Sequence, residues 1–275
     1  MDYLHSIAAD IKSLKVQGAE NVAKAAILAW EKAKDKKEAE RILRETRPTE
    51  PMLRNSLKYL SKHGDPAALL RMISEADAKI ARYGSGMVPN NSVVYTHCHS
   101  STVVSILVAA KAKGRHFRVN LTETRPDFQG RITANDLSRH GIDASMYVDS
   151  AAMQAMKGAD LMLIGADVIT SYGSVINKIG SGLFTKIARG LEIPVYVATS
   201  AMKFDPATER GKPEKIESRS TDSVWKVRDK HIHIVNRVFE EVEAGNITAF
   251  ITEFGVIKAE SVLDELQKHF VWMFE

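Results

Sequence analysis

The only cysteine of the chain lies in a turn whose surroundings could make it chemically active. Cys98 is flanked by His97 and His99, and it follows an apolar run at residues 92–96 that predicts a buried strand. From residue 102 to 113 apolar residues recur at helical spacing, so the turn joins a strand to a helix. Such turns form ligand sites in open α/β folds, and a helix N-terminus favours a thiolate or a bound anion. Alternatively, Cys98 is a small residue in a well-packed turn.

A second candidate is the carboxylate of Asp167, which follows the very apolar run at residues 161–165. A strand this apolar is expected to be buried, so the carboxylate after it is expected to be partly buried. Burial raises the pKa of a carboxyl group toward the range in which it can act as a general acid or base. Asp167 could instead cap the next helix, and the sequence leaves both possibilities open.

An anion site is predicted where Asn177 and Lys178 follow the turn at residues 172–174. We expect a helix from residue 177 to residue 190, so that an amide and an ammonium group arrive at its start. This combination suits a phosphate group or another oxyanion. The alternative is a surface lysine on an ordinary helix.

The loops after the other predicted strands contribute further polar side chains. Arg125 and Gln129 follow the second strand, and Lys203 follows the fifth. Arg125 could bind a second anion, or it could pair with a neighbouring acidic residue, Glu123 or Asp127. In a parallel sheet these loops converge on one edge, so we expect the candidate residues to meet there.

A thiol, a carboxylate and phosphate-binding groups suggest proton transfer on a phosphorylated sugar. Moving a carbonyl group from C1 to C2 needs one group to transfer a proton from carbon and another to transfer a proton on oxygen. In principle this reaction needs neither a redox cofactor nor a metal, so we expect no cofactor. His97 and His99 have no third ligand at metal spacing, and a zinc site is not expected.

Two regions must position these residues. Residues 1–84 show helical spacing throughout, which predicts a helical domain. Residues 85–275 alternate strands with helices of about 10 residues, which predicts a Rossmann-like domain with a parallel sheet. The expected fold class is therefore α/β with an N-terminal helical domain. The glycines at residues 83–86 predict a hinge between the domains, and the polar segment 205–229 predicts a surface insertion.

The composition excludes several classes of protein. The chain has 275 residues, of which 44% are hydrophobic and 26% charged, as is typical of a globular protein. A single cysteine excludes an internal disulfide, and we therefore expect a cytoplasmic location. No apolar run approaches the ~18 residues of a membrane span. The net charge of +4 comes from basic residues interleaved with acidic ones, so direct nucleic-acid binding is not expected.

Several of these segments resemble a known family. The similarity runs from about residue 12 to the end of the chain. It is carried by Thr-His-Cys-His-Ser at residues 96–100, Glu-Thr-Arg-Pro-Asp-Phe-Gln-Gly at 123–130, Ile-Gly-Ala-Asp at 164–167, Gly-Ser-Val-Ile-Asn-Lys-Ile-Gly at 173–180 and Ala-Met-Lys-Phe at 201–204. Together they resemble the initiation-factor-2B-related family.

The resemblance implies one of two functions. One branch of the family contains the alpha, beta and delta regulatory subunits of translation initiation factor 2B, which bind initiation factor 2. The other contains aldose–ketose isomerases that act on methylthioribose-1-phosphate or ribose-1,5-bisphosphate. Both have a helical domain before a Rossmann-like domain, through which they usually form a dimer. The C-terminal domain would therefore form a homodimer here.

For the isomerase branch the resemblance assigns roles to individual residues. Cys98 and Asp167 match the catalytic pair, in which Asp167 would move the carbon-bound proton and Cys98 the proton on oxygen. Asn177 and Lys178 match a substrate-binding pair.

The chain departs from the isomerase pattern in the N-terminal domain, where Gln17, Gly18 and Ala19 replace an Arg-Gly-Ala triplet whose arginine binds phosphate. A glutamine lacks the charge and the planar fork of a guanidinium group. We therefore predict an archaeal-type regulatory subunit that binds initiation factor 2 and a phosphorylated sugar or nucleotide. The alternative is an active phosphosugar isomerase that uses the Cys98–Asp167 pair.

Overall fold

The computed structural model describes residues 2–208, 220–227 and 229–275. Its N-terminal part consists of five helices. They are α1 (Tyr3–Lys12), α2 (Ala19–Lys32), α3 (Lys36–Arg44), α4 (Pro51–His63) and α5 (Pro66–Met87). Side-chain carboxylates of Asp2, Asp35 and Asp65 accept hydrogen bonds from backbone N–H groups at the starts of α1, α3 and α5. Pro51 and Pro66 occupy first-turn positions, where no N–H donor is needed.

Helix α5 corrects one expectation. Residues 83–86 are helical, so the predicted hinge does not form. Gly84 is needed for packing instead, because a Cβ atom there would lie 2.4 Å from Cδ1 of Ile106. The division of the chain into domains 1–84 and 85–275 stays a prediction, and its boundary falls inside α5.

A seven-stranded sheet forms the centre of the C-terminal part. Its strands are β1 (Ser92–Thr96), β2 (Phe117–Thr122), β3 (Ala144–Tyr147), β4 (Leu161–Ile164), β7 (Val195–Ala198), β10 (Ala249–Thr252) and β11 (Gly255–Lys258). The order is β11-β10-β7-β4-β1-β2-β3, and every neighbouring pair is parallel except β10 and β11. The predicted α/β class, with N-terminal helices and a largely parallel sheet, is confirmed.

Helices cover both faces of this sheet. They are α6 (Ser101–Ala112), α7 (Gln129–Arg139), α8 (Ala152–Met156) and α9 (Ser181–Gly190), and the chain ends with α10 (Val262–His269) and α11 (Val271–Phe274). Neighbouring residues of a strand point to opposite faces, so Val94 packs with Ile106 of α6, whereas Tyr95 joins the cluster that contains Phe184 of α9. Within the described residues, no helix has the length and apolarity to cross a bilayer.

A second, four-stranded sheet was not predicted. It consists of β5 (Val168–Thr170), β6 (Val175–Lys178), β8 (Phe204–Asp205) and β9 (Phe239–Val242), in the order β8-β5-β6-β9. β5 and β6 form a hairpin whose turn contains Gly173 in the left-handed region, at φ +81°.

This sheet corrects two predicted elements. The expected helix from residue 177 begins only at Ser181, because Asn177 and Lys178 still belong to β6 and pair with β9. The alternating run His-Ile-His-Ile-Val at residues 231–235 predicts a further short strand, but no strand forms there, and β9 begins at Phe239 instead. Much of the insertion predicted at 205–229 lies outside the described residues.

Hydrogen bonds join the helical part to the second sheet. The side-chain amide of Asn55 on α4 donates to the carbonyl oxygens of Met202, at 2.8 Å, and Phe204, at 2.7 Å. The neighbouring Arg54 pairs with Asp205 at 2.5 Å. These contacts fix α4 against the segment that follows β7.

Candidate functional site

A cavity of about 630 Å³ lies between the N-terminal helices and the carboxyl edge of the large sheet. Eight of the nine predicted site residues line it. They are Gln17, Gly18, Ala19, Cys98, Gln129, Asp167, Asn177 and Lys178. Arg125 is the ninth, and it does not belong to the lining. The predicted convergence of loops at one edge of the large sheet accounts for Cys98, Gln129 and Asp167, whereas the other five residues come from the start of α2 and from β6.

Cys98 is held in the turn after β1 by hydrogen bonds on both sides of its backbone. Its N–H donates to Oγ1 of Thr124 at 3.0 Å, and its carbonyl oxygen accepts from Oγ1 of Thr133 at 2.9 Å. The backbone of Cys98 has φ +69°, a left-handed conformation that is costly for a residue with a side chain. Asp149 supports the turn, because its carboxylate accepts the N–H of Thr124 at 2.9 Å.

The thiol of Cys98 is a proton donor in this structure. Its side chain is 8% exposed, and burial raises the pKa of the thiol to about 12, against the opposing positive charge of Lys178. Sγ donates a hydrogen bond to Oε1 of Gln129 at 3.1 Å. The expected thiolate at the helix N-terminus is therefore wrong, because loss of solvation outweighs the nearby favourable charges.

His97 is a buried structural residue. Its Nε2–H donates to the carbonyl oxygen of Ile179 at 2.9 Å, so Nδ1 is the acceptor for the hydroxyl of Thr122 at 2.8 Å. Burial lowers the pKa of His97 to about 4, and the ring is neutral. His97 thus joins the strand end that precedes Cys98 to the loop that follows Lys178.

Asp167 lies at the end of β4, where the chain passes into β5. Its N–H donates to the carbonyl oxygen of Ile176 at 2.9 Å, and its side chain is half-buried, as expected. No helix follows it, since β5 begins at Val168, so the helix-cap alternative is excluded. The chain just before Asp167 passes close to Ser100, and only a glycine fits at position 165, because a Cβ atom there would lie 2.7 Å from Oγ of Ser100.

Asn177 and Lys178 line the cavity from β6. Lys178 is only 4% exposed, its Nζ lies 3.8 Å from Oδ2 of Asp127, and it lies 4.7 Å from the ring centre of Phe239. Asn177 donates to Oγ of Ser181 at 3.0 Å. A buried ammonium group is a strong electrostatic partner for an anion.

The helix N-terminus next to this pair is already occupied. Oε1 of Glu240 accepts the N–H groups of Gly180, at 2.7 Å, and Gly182, at 2.8 Å. The backbone of α9 is therefore not the anion-binding element that we expected. Any anion bound here would contact the side chains of Asn177 and Lys178.

The helical wall of the cavity begins at the turn between α1 and α2. Gly18 takes φ +84° as the N-cap of α2, and Gln17 is exposed. The amide of Gln17 donates to the carbonyl oxygen of Leu14 at 2.7 Å, and Asn21 donates to the carbonyl oxygen of Gln17 at 3.1 Å. This wall offers amide groups to a ligand where the resemblance led us to look for an arginine.

Sequence reasoning missed Arg47, which lines the same cavity. It stands before Pro48 in the turn between α3 and α4, where the sequence pattern indicates only the end of a helix. Lys203 lines the cavity as well, and its Nζ donates to the carbonyl oxygen of Ala166 at 2.7 Å. With Lys178, these residues bring three cationic side chains to one cavity.

A carboxyl pair on the helical wall was also missed. Glu20 of α2 and Asp77 of α5 both line the cavity. Burial, and then the negative charge of Glu20, raise the pKa of Asp77 to about 7. Only the folded arrangement of α2 and α5 brings the two acids together, since they are separated by more than 50 positions in the sequence.

Arg125 lies outside the cavity, on the protein surface. Its N–H donates to Oδ2 of Asp149 at 2.7 Å, and its guanidinium group donates to the carbonyl oxygen of Val224 at 3.3 Å. The same group lies 4.9 Å from the ring centre of Phe128. Arg125 is thus directed to neighbouring protein groups, while Gln129 of the same loop reaches the cavity.

Comparisons with known proteins agree on the family. A sequence model described as the Initiation factor 2 subunit family matches residues 12–259. Ribose 1,5-bisphosphate isomerase of Thermococcus kodakarensis is 33% identical, over 97% of this chain and 94% of the relative. The protein of the same name from Pyrococcus furiosus is 34% identical, over 96% and 88%.

Solved structures share the fold. The structure titled translation initiation factor eIF-2B from Pyrococcus horikoshii has a TM-score of 0.82 and 25% identity, covering 94% of this chain and 98% of that one. The 5-methylthioribose 1-phosphate isomerase of the same organism has a TM-score of 0.77 and 26% identity, covering 96% and 87%.

These findings contradict the expected regulatory-subunit function. The relatives that share a third of their residues with this chain over nearly its whole length are named isomerases. The structure with the initiation-factor title is only 25% identical, and an isomerase structure is as similar in sequence. Gln17 was therefore a poor guide to function, and the expected binding of initiation factor 2, which depended on the same interpretation, loses its basis.

Proposed function

This chain belongs to the Initiation factor 2 subunit family, and from that premise we propose that it is an aldose–ketose isomerase acting on a ribose 1-phosphate, with ribose 1,5-bisphosphate as the first candidate substrate. The observation that carries the proposal is that the thiol of Cys98 and the carboxylate of Asp167 line one cavity. Its cationic side chains suit a phosphorylated ligand.

The proposed reaction moves one hydrogen between carbons and one proton between oxygens. The ring bond between C1 and the ring oxygen breaks, and the ring oxygen takes the proton of the Cys98 thiol. Asp167 removes the proton from C2, whose electron pair forms a C1–C2 double bond. When the carbonyl group forms at C2, Asp167 returns the proton to C1, and the proton of the C2 hydroxyl group is released. The phosphate on C1 stays in place.

The surroundings of Cys98 support its role as the proton donor. Sγ lies 3.1 Å from Oε1 of Gln129, which can accept the thiol proton, and burial keeps the thiol protonated at neutral pH by raising its pKa. The hydrogen bond from the backbone N–H of Cys98 to Thr124, and the one from Thr133 to the carbonyl oxygen of Cys98, fix the turn that carries Sγ, so that little reorganisation is needed during the reaction.

Phosphate binding is assigned to two sets of side chains. Asn177 and Lys178 would bind a phosphate group at the sheet edge, and Arg47 and Lys203 supply further positive charge in the same cavity. The turn at Gln17, Gly18 and Ala19 would contribute neutral donors. We assign no phosphate contact to Arg125, because its guanidinium group is directed to Val224 and Phe128 outside the cavity.

Direct turnover tests this function. The protein would be mixed with ribose 1,5-bisphosphate, and separately with methylthioribose-1-phosphate, in deuterated water. NMR would follow formation of the ketose and uptake of deuterium at C1. Cys98→Ser and Asp167→Asn serve as inactive controls that keep the size of each side chain. Absence of a ketose product with both sugars would reject the proposal.

We also propose that the chain forms a homodimer through its C-terminal part. Large apolar side chains that are more than half exposed there support this, among them Val148, Met153 and Leu183, at 55%, 60% and 59%. Sedimentation equilibrium would measure the mass in solution, and Leu183→Asp, compared with Leu28→Asp on the exposed surface of α2, would test the location of the contact. A monomeric mass at all concentrations would contradict the proposal.

A further inference from the structure

The backbone of Thr124 is strained at a place that no step of the proposed reaction explains. Its φ is +63°, in the left-handed region, and its side chain is fully buried, at 0% exposed. A β-branched side chain makes this conformation costly, so a residue keeps it only where its surroundings hold it there. The turn of Cys98 beside it is left-handed as well, at φ +69°. Two strained residues in contact at one edge of the sheet indicate a role in the site.

Each polar group of Thr124 is bonded to a different part of the structure. Its N–H donates to Oδ1 of Asp149 at 2.9 Å, and its hydroxyl oxygen accepts the N–H of Cys98 at 3.0 Å. Its carbonyl oxygen accepts the N–H of Phe128 at 2.8 Å, one residue before Gln129. Oε1 of Gln129 in turn lies 3.1 Å from the thiol sulfur. Thr124 therefore fixes both the turn that carries the thiol and the loop that carries its hydrogen-bond acceptor.

The carboxylate of Asp149 holds Thr124 in this conformation. It accepts two successive backbone N–H groups, that of Thr124 through Oδ1 at 2.9 Å and that of Arg125 through Oδ2 at 2.7 Å. These bonds are charge-assisted, and two of them together fix the direction of the chain. Asp149 begins the short 3₁₀ helix after β3, and β3, β2 and β1 are neighbours in the large sheet. Hydrogen bonds thus connect the loops after three adjacent strands, from Asp149 through Thr124 to Cys98.

We infer that Asp149 is a positioning residue that sets the place of the Cys98 thiol through Thr124, an inference that rests on the proposed isomerase function. Neither Asp149 nor Thr124 lines the cavity, so each would act on the sugar only through Cys98. The thiol has to meet the ring oxygen at hydrogen-bond distance, and a displacement of about 1 Å can lower a rate by about 10²-fold. Asp149 exchanges no proton in this role.

The alternative is that Asp149 only stabilises the fold, and Asp160 provides the comparison. Oδ2 of Asp160 accepts the N–H of Val93 at 2.8 Å, near the opposite end of β1. Asp149→Asn and Asp160→Asn each weaken a bond between a carboxylate and the backbone. Only Asp149→Asn, which leaves one acceptor oxygen for two N–H groups, should change the site.

The kinetic test uses Asp149→Asn, Thr124→Val and the double variant in the full chain, with ribose 1,5-bisphosphate as substrate. Valine keeps the shape of threonine but cannot accept the N–H of Cys98. We expect kcat of each single variant to fall by about 10–10²-fold, with KM changed less than about threefold. The double variant should lose no more than the weaker single variant, because both changes interrupt the same set of bonds.

Two further variants separate positioning from a general loss of stability. Thr124→Ser keeps the hydroxyl group that accepts from Cys98, so it should retain at least about tenfold more of kcat than Thr124→Val. Asp160→Asn should retain the wild-type kcat, because its bond lies at the far end of β1.

A second measurement needs no substrate. Cys98 is the only cysteine, so mass spectrometry of the whole protein can follow its alkylation by iodoacetamide. Burial slows this reaction in the wild type, because it raises the pKa of the thiol. Asp149→Asn and Thr124→Val should release the turn and admit water, so alkylation at pH 8 should become about tenfold faster. Asp160→Asn should react at the wild-type rate.

Three results would overturn the inference. The first is Asp149→Asn with kcat and an alkylation rate within threefold of the wild type. The second is a double variant whose loss of kcat equals the product of the two single losses, because the residues would then act independently. The third is an equal effect of Asp160→Asn on both measurements. A wild type that forms no ketose would instead reject the proposed function, and the alkylation rates alone would then decide whether Asp149 positions the thiol.

Discussion

On the sheet side of the cavity, Cys98 and Lys178 are 8% and 4% exposed, whereas on the helical side Gln17 and Gly18 are exposed. This side, the sheet wall, also has more hydrogen bonds that fix its site residues, since the backbone of Cys98 is held by Thr124 and Thr133. Groups that transfer protons need a fixed position, and exclusion of water from the sheet wall strengthens their electrostatic interactions. Groups that only select a substrate can lie in a more open wall. We therefore expect substitutions on the sheet wall to affect kcat and substitutions on the helical wall to affect KM.

The largest effect is expected for Asp167→Asn. An amide has the shape of the carboxylate but cannot accept a proton from carbon, so kcat should fall by about 10³-fold or more. Turnover measured by NMR, with thermal unfolding as the check on folding, tests this. An Asp167→Asn variant with kcat within tenfold of the wild type would show that the sheet wall does not contain the carbon base.

The second effect concerns the rigidity of the sheet wall. Gly165→Ala places a Cβ atom 2.7 Å from Oγ and 2.9 Å from Cβ of Ser100, so either the loop that carries Asp167 or the turn at Ser100 must shift. We expect a loss of about 1–3 kcal/mol in the free energy of unfolding, measured in urea, together with a lower kcat. Gly190→Ala at the end of α9 is the control, because nothing lies within 4 Å of its Cβ position. Equal stability of the two variants would contradict the close packing described here.

The sheet wall was easier to predict from the sequence than the helical wall. Apolar runs before Cys98 and Asp167 identified β1 and β4, and parallel strands bring their ends to one edge, so that Cys98, Gln129 and Asp167 meet in the cavity as predicted. The hairpin β5–β6 was missed because short runs of apolar residues on either side of a turn do not distinguish a strand from a helix start.

Contacts between distant segments were beyond the reach of local patterns. Arg47 and Asp77 come to the cavity only through the packing of α3, α4 and α5, and a turn with prolines gives no sign of that. The protonated state of Cys98 also depends on how deeply the folded chain buries it. From the sequence, the position of Cys98 at a helix N-terminus suggested a thiolate instead.

The third prediction sharpens the comparison from the helical wall. Gln17→Arg should add a charged donor to an exposed position, and a charge-assisted hydrogen bond to phosphate would lower KM for ribose 1,5-bisphosphate by about tenfold. The value of kcat should change less than about threefold, because Gln17 contacts only Leu14 and Asn21 among the hydrogen bonds described above. Steady-state kinetics test this, with Gln17→Lys as the control for charge without the planar fork. A lower kcat with unchanged KM would break the proposed division between the two walls.

The smallest effect is a pH dependence of stability at Asp77. Its pKa is raised from 3.8 to about 7 in the folded protein, so the folded chain binds more protons than the unfolded chain between these values. The contribution of Asp77 to stability is fully present below about pH 4 and is lost as the pH rises through about 7. We expect Asp77→Asn to remove this loss, an effect of about 1 kcal/mol because the group is partly exposed and screened by solvent.

Urea unfolding of the wild type and Asp77→Asn, at pH 4.5 and pH 8, measures this difference. Buried Glu253, whose pKa is raised mainly by burial, gives a pH dependence of the same sign in both proteins, so only the difference between them reports on Asp77. Glu20→Gln is the matched variant, since it removes the negative charge that helps to raise the pKa of Asp77 and should shift the loss of stability to lower pH. If the free energy of unfolding changes equally with pH in Asp77→Asn and in the wild type, Asp77 is solvated. The helical wall is then even more open to water than its structure indicates.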